Sequence, residues 1–127
     1  MSANHPNSGE MRLKELQVTA RCKIHDGKLD AFRAVAQECM KSVREKDDGT
    51  LQYDWFFNED QTECVVCERY RDSEAVMQHI ANLGETMGAL LETCDLSLEV
   101  FGDPTPELID ATKALPTKVY GSFQAFD

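Results

Sequence analysis

The stretch DGTLQYDWFFNEDQTECVVCERYRDSEAVMQHIANL, Asp48–Leu83, decides how the chain is read. It opens on a turn and enters an aromatic strand, where Leu51, Tyr53, Trp55 and Phe57 alternate with Gln52, Asp54, Phe56 and Asn58. Phe56 interrupts the polar face, so both faces of that end are expected to be covered. The polar loop Asn58-Glu-Asp-Gln61 leads into a second strand over 62–71. Val66, Glu68 and Tyr70 share one of its faces, and Val65, Cys67 and Arg69 share the other. Glu68 therefore stands in register with apolar neighbours. Asp72 or Ser73 caps the helix that follows, with Glu74 near its positive end. Val76, Ile80, Leu83 and Met87 form the buried stripe of this helix, and His79 lies at its edge. An aromatic wall, one carboxyl group and one imidazole are thus gathered in a single hairpin and helix.

The flanking segments supply the frame. Upstream, Leu16, Val18, Ala20, Cys22 and Ile24 alternate with Gln17, Thr19, Arg21 and Lys23, the pattern of a half-buried strand, and Asp26-Gly27 turns the chain. Residues 28–45 carry Leu29, Phe32, Val35, Ala36, Cys39, Met40 and Val43 at three- and four-residue spacings, which makes a helix with one face for a sheet. Asp47-Asp48-Gly49 ends it, and glycine suits a left-handed cap. Downstream, Gly84 divides the second helix, and Leu96, Leu98 and Val100 alternate in a fourth strand. Thr105 then caps a short helix with Pro106 at its first position, and Leu108, Ile109, Ala111 and Leu115 give it an apolar side. The tail 119–126 holds Tyr120, Phe123 and Phe126 without a charge and is expected to dock on something.

Strand, helix, strand, strand, helix, strand is the split βαβ plan of ferredoxin-like α+β folds. The expectation is a four-stranded antiparallel sheet with both helices on one face. Residues 1–13 show no periodicity and are expected to be a disordered tail, residues 14–102 to form the domain, and residues 103–127 to add a helix and an aromatic tail that serves as a dimer clasp. The second sheet face also carries apolar residues. Leaving it wet would expose a larger patch than monomers usually tolerate, so a homodimer through that face is expected.

Composition narrows the partners. The net charge of -10, from 23 acidic and 13 basic residues, repels nucleic acid and anionic membranes. No apolar run is long enough to cross a bilayer, and Met1–Glu10 lacks the order of a signal peptide, so a cytoplasmic location is expected. Five cysteines, an odd number, argue against a disulfide framework. Cys64 and Cys67 have metal-ligand spacing, but strand geometry sends them to opposite faces, so ordinary reduced thiols are expected and no metal. Neither a glycine-rich phosphate loop nor a nucleophile elbow is present, so no cofactor is expected.

Gly49-Thr-Leu-Gln-Tyr53, Glu68-Arg-Tyr70, Asp72-Ser-Glu-Ala75 and His79 together resemble the antibiotic biosynthesis monooxygenase family of dimeric α/β barrels. The resemblance spans about 17–101. It implies a cofactor-free, quinol-type monooxygenase in which a deprotonated aromatic substrate itself supplies electrons to dioxygen. Such a site must keep a ring dry, take a phenolic proton and stabilise the resulting anion. His79 is the candidate base. Glu68 would orient it or keep it charged, Tyr53 and Trp55 would hold the ring with Tyr70 beside them, and Arg21 would stabilise an oxyanion if its face turns inward. Each residue also has a plainer reading. His79 could border the core, the aromatics could pack the core or the dimer, Glu68 could pair with Arg21, Arg69 or Arg71, and Arg21 could simply be solvated.

Haem-degrading relatives place an asparagine on strand one, a tryptophan where His79 stands and a histidine about ten residues later. Thr19-Ala-Arg21 and Met87-Gly-Ala89 occupy the first and last of these zones here, so haem chemistry is not expected. Two other functions stay open beside the monooxygenase: an isomerase of a small phosphorylated signalling molecule, which would want Arg21, Lys23, Arg69 or Arg71 in the pocket, and a non-catalytic small-ligand-binding dimer.

Overall fold

The computed structural model describes residues 14–126, and the tail expected at 1–13 lies outside them. The elements run β1 (Leu16–Ile24), α1 (Leu29–Lys46), β2 (Thr50–Phe57), β3 (Glu63–Tyr70), α2 (Ser73–Leu83), α3 (Glu85–Leu91), β4 (Cys94–Phe101), α4 (Pro106–Thr112) and β5 (Thr117–Tyr120). The ferredoxin-like plan holds, but the sheet has five strands, in the order β2-β3-β1-β4-β5, rather than four. Its first four strands are antiparallel, and β5 lies parallel to β4, so the sheet is not wholly antiparallel. Within this chain the sheet is open, not closed into a barrel.

Register explains what the sheet does for the site. Val18 and Tyr53 both pair with Glu68, and Ala20 and Trp55 both pair with Val66, so these side chains share one face. Leu98 and Val100 extend that face from β4. It is the helix side: Phe32 of α1 sits with ring centroids 5.9 Å from Trp55 and 6.0 Å from Phe57. The opposite face carries Arg21, Phe56, Val65, Cys67 and Phe101, and Phe56 is 55 % exposed there.

Two glycines act differently from one another. Gly84 separates α2 from α3 with φ at 50°, a conformation that a side chain would strain. Gly49 does not adopt the expected left-handed cap. Asp47 closes α1 in an extended conformation, φ -80° and ψ 134°, with its N–H on the Val43 carbonyl at 3.1 Å. Glycine is required at 49 for room, because a Cβ there would lie 2.5 Å from Ala75 Cβ. That close approach seats the α1–β2 connection against α2.

The C-terminal segment docks on its own chain. Asp72 and Thr105 cap α2 and α4 as expected, accepting from Ala75 N–H at 2.9 Å and Leu108 N–H at 3.3 Å. Leu108 and Thr112 are buried, and Tyr120 stacks on Phe101 at 5.3 Å. Beyond β5 the docking stops, for Phe123 and Phe126 are fully exposed.

Candidate active site

The helices do not close completely on the sheet. A cavity of about 260 Å³ remains between them. Val18, Ala20, Cys22, Val66, Leu96 and Leu98 form its floor, and Val76, Ile80, Leu83, Met87 and Leu90 form its roof. Leu108, Ala111, Thr112 and Leu115 close one side, so the C-terminal segment supplies a wall of the cavity. Besides the Cys22 thiol and the Thr112 hydroxyl, which donates to its own helix at the Leu108 and Ile109 carbonyls, polar groups come to this largely apolar space from Tyr53, Trp55, Glu68 and His79.

His79 sits on the buried side of α2, held by an acid that the sequence did not single out. Its Nδ1 lies 2.9 Å from Asp47 Oδ2. Asp47 also accepts from Thr50 Oγ1 at 2.7 Å and from Asn82 Nδ2 at 2.8 Å. Burial pushes the Asp47 carboxyl up, but the bonds from Asn82, Thr50 and His79 outweigh it and hold the group below its ordinary value. Asp47 is therefore a carboxylate that can only accept, and the Nδ1 proton of His79 belongs on the bond between them. Proton exchange with a ligand then falls to Nε2. Burial lowers the His79 pKa, offset in part by Asp47, so the resting imidazole is neutral and able to take a proton. The ring packs edgewise on Tyr53, centroids 5.1 Å apart, and tilts against Tyr70 at 5.3 Å.

Glu68 does not orient His79 as expected. Its Oε1 accepts the Tyr70 hydroxyl. None of the three arginines offered as its partner reaches it: Arg21 pairs with Glu99 at 3.4 Å, Arg69 with Glu15 at 3.1 Å and Arg71 with Asp72 at 3.7 Å. Burial is the main reason its carboxyl is pushed up to about 8, against a smaller opposing effect of the Tyr70 bond. At neutral pH Glu68 is an acid in its protonated form. Burial and then Glu68 keep the Tyr53 hydroxyl far above its ordinary range, so it too stays protonated.

The remaining expected site residues separate. Trp55 lines the cavity, and its buried Nε1 has no hydrogen-bond partner among the described residues, a donor at a place where an unpaired donor is costly. Tyr70 is fully buried behind Glu68 and does not line the cavity. Arg21 is on the open sheet face, half exposed, and is no oxyanion partner for this cavity, because odd positions of β1 point away from the helices. Cys64 and Cys67 fall on opposite faces; all five thiols are free, with Cys67 alone half-buried and the others buried. Among the described residues no three His, Cys, Asp or Glu side chains are grouped to hold a metal ion.

Asp47, Thr50 and Asn82 are the residues that the sequence reading missed. Asp47 left one signal: an acid at the C-terminal end of a helix, where the dipole disfavours negative charge.

The family model described as antibiotic biosynthesis monooxygenase matches residues 16–82, which include Asp47, Tyr53, Trp55, Glu68 and His79. Solved structures share the fold. MupZ from Pseudomonas fluorescens aligns at 20% identity and TM-score 0.79 over 90% of this chain and 94% of its own. SnoaB from Streptomyces nogalater, a cofactor-independent oxygenase, aligns at 17% identity and TM-score 0.62 over 72% of this chain and 95% of its own. Rv0793 from Mycobacterium tuberculosis aligns at 23% identity and TM-score 0.63 over 72% and 96%. No curated protein matches the sequence.

Proposed function

This chain belongs to the antibiotic biosynthesis monooxygenase family, and from that premise we propose that it is a cofactor-independent monooxygenase oxidising a small quinol or phenolic aromatic with dioxygen. The observation that carries the reading is His79 on the wall of a largely apolar cavity, backed at Nδ1 by the Asp47 carboxylate. His79 Nε2 takes a phenolic proton, and the electron-rich anion reacts with dioxygen. One oxygen atom enters the ring, and the other leaves as water with two substrate hydrogens. Tyr53 and Trp55 hold the ring, with Trp55 Nε1 donating to a substrate oxygen. The dry walls strengthen each of these polar contacts.

Oxygen uptake tests this directly. The purified protein should consume oxygen with a reduced naphthoquinol faster than buffer alone, and His79→Ala should return the rate to background. No uptake by wild type sinks the quinol version, and uptake untouched by His79→Ala removes the base. A non-catalytic binding protein would bind the quinol and leave the rate unchanged. The phosphorylated-ligand reading has weak support, because no Arg or Lys among the described residues lines the cavity.

The proposal includes a homodimer through the open sheet face, where Phe56, Val65, Cys67, Phe101 and Tyr120 are only partly covered or exposed. The exposed Phe123 and Phe126 are left for the partner to cover, in keeping with a clasp formed by the segment 103–127. Sedimentation should give twice the chain mass for wild type and a shift toward monomer for Phe56→Asp. A wild-type monomer at micromolar concentration would end this part. No helix among the described residues is long and apolar enough to cross a membrane, and the five free thiols fit the reducing cytoplasm that we propose as its location.

A further inference from the structure

We propose that Glu68 acts as a neutral hydrogen-bond donor to a substrate oxygen, and that with it the cavity catalyses enolisation, the reversible removal of a proton beside a ketone, without dioxygen. This rests on the reading of the cavity as the reaction site with His79 as its base.

The geometry supplies the donor. Glu68 lies on the cavity wall, 8 % exposed, one oxygen accepting the Tyr70 hydroxyl. Among the described residues no cation pairs with it, and burial without a counter-ion disfavours the charged form. The titratable groups around it are Tyr70 on its own strand, Tyr53 on β2, Cys22 on β1, Cys39 on α1, Asp47 after α1 and His79 on α2. None brings positive charge above neutrality, and the carboxyl is accordingly held at about 8. In that neutral form one oxygen accepts from Tyr70 and the other carries the proton, which leaves an O–H to donate. Two titrating groups lining one cavity, from the sheet and from the helix above it, are thus pushed in opposite directions, His79 toward the neutral base and Glu68 toward the neutral acid, the arrangement that marks acid and base roles in a shared site.

The step needs no oxidant. His79 Nε2 takes a proton from the carbon beside the ketone, and the C–H electron pair becomes the new C=C bond. The former C=O pair moves onto oxygen, which accepts the hydrogen bond of Glu68. Return of the proton restores the ketone. Under air the same electron-rich anion is what the oxygenation would consume.

The test is proton exchange under nitrogen, with 2-tetralone as probe in deuterated buffer and loss of the α-proton signal followed by NMR. Wild type should exchange faster than buffer at neutral pH, with the protein-dependent rate falling as pH passes about 8. Glu68→Gln keeps a neutral donor, so it should retain most of the rate and lose the fall near that pH. Glu68→Leu should lose about 100-fold, the typical effect of removing one such donor. Absence of wild-type exchange, or Glu68→Gln as inactive as Glu68→Leu, would overturn the proposal. Exchange behaving as described without oxygen uptake from a naphthoquinol would uphold this inference and sink the quinol version of the oxygenase. Oxygen uptake by a protein that does not exchange the ketone would do the reverse.

Discussion

Asp47→Asn is expected to reduce oxygen uptake by about 100- to 10,000-fold, nearly as much as removing His79 itself, although residue 47 does not line the cavity. The cause is the tautomer. As a carboxylate, Asp47 accepts the Nδ1 proton and leaves the Nε2 lone pair for substrate. An amide at 47 must choose among partners, because Thr50 and Asn82 already donate to this side chain. If its single carbonyl keeps the Oδ1 place and accepts from Asn82, its NH2 takes the Oδ2 place, faces Nδ1 and the Thr50 hydroxyl, draws the Nδ1 lone pair and moves the imidazole proton to Nε2. The base is then blocked while the fold stays in place. Stability should fall as well, by about 2–4 kcal/mol, because three charge-assisted bonds around a carboxylate only 2 % exposed are weakened together. Oxygen uptake and urea unfolding on the same sample separate the two effects. A folded Asp47→Asn protein with wild-type uptake would show that His79 needs no acceptor at Nδ1. Asn82→Ala is the companion measurement: it removes one donor to Asp47 without touching the imidazole, so it should reduce stability more than rate.

The sequence shows the frame of this site more clearly than its chemistry. Period-two alternation in β1, β2, β3 and β4 is enforced by burial of one face, so the residues that share a face within a strand were legible, Val18 with Ala20, Tyr53 with Trp55 and Glu68 with Val66, while the face that meets the helices needed the register between strands. The caps at Asp72 and Thr105 are local hydrogen bonds between near neighbours and were equally legible. The partner of His79 was not, because Asp47 comes from 32 residues earlier and reaches the imidazole through a backbone path set by Gly49 against Ala75. That path is tertiary: glycine's room, not its left-handed conformation, brings the acid to the base. Strand β5 was hidden for a similar reason. Thr117–Tyr120 has the residues of a strand but only four of them, and its edge position becomes visible only once α4 has crossed back over the sheet. Arg21 was legible as an outward residue from its own alternation; the resemblance drew it toward the pocket, and the register sends it away.

Glu68→Gln is expected to raise stability at alkaline pH, by up to about 5 kcal/mol near pH 8 and by little near pH 4.5. The sign follows from the direction of the shift. Glu68 is raised from 4.5 to about 8, so the folded chain holds a proton that the unfolded chain has released throughout that window. Its contribution is complete below pH 4.5 and is lost as pH rises toward 8. Glutamine keeps an oxygen for the Tyr70 hydroxyl and has no proton to lose. His79 runs the other way: its folded pKa is lowered, so its contribution is present above the ordinary value of 6.5 and is lost as pH falls below it. Asp47, also lowered, adds a loss only below about its ordinary 3.8. Urea unfolding at intervals between pH 5 and 9 should therefore show wild type changing little below pH 6.5, where the Glu68 and His79 contributions oppose each other, and declining from there toward pH 8. Glu68→Gln should abolish that decline and uncover the loss on the acid side that His79 causes. Parallel profiles for the two proteins would mean that Glu68 ionises freely in the fold. If the decline is found, the buried acid weakens the fold at the pH where the cavity is proposed to work, and its role must be sought in the cavity rather than in the core.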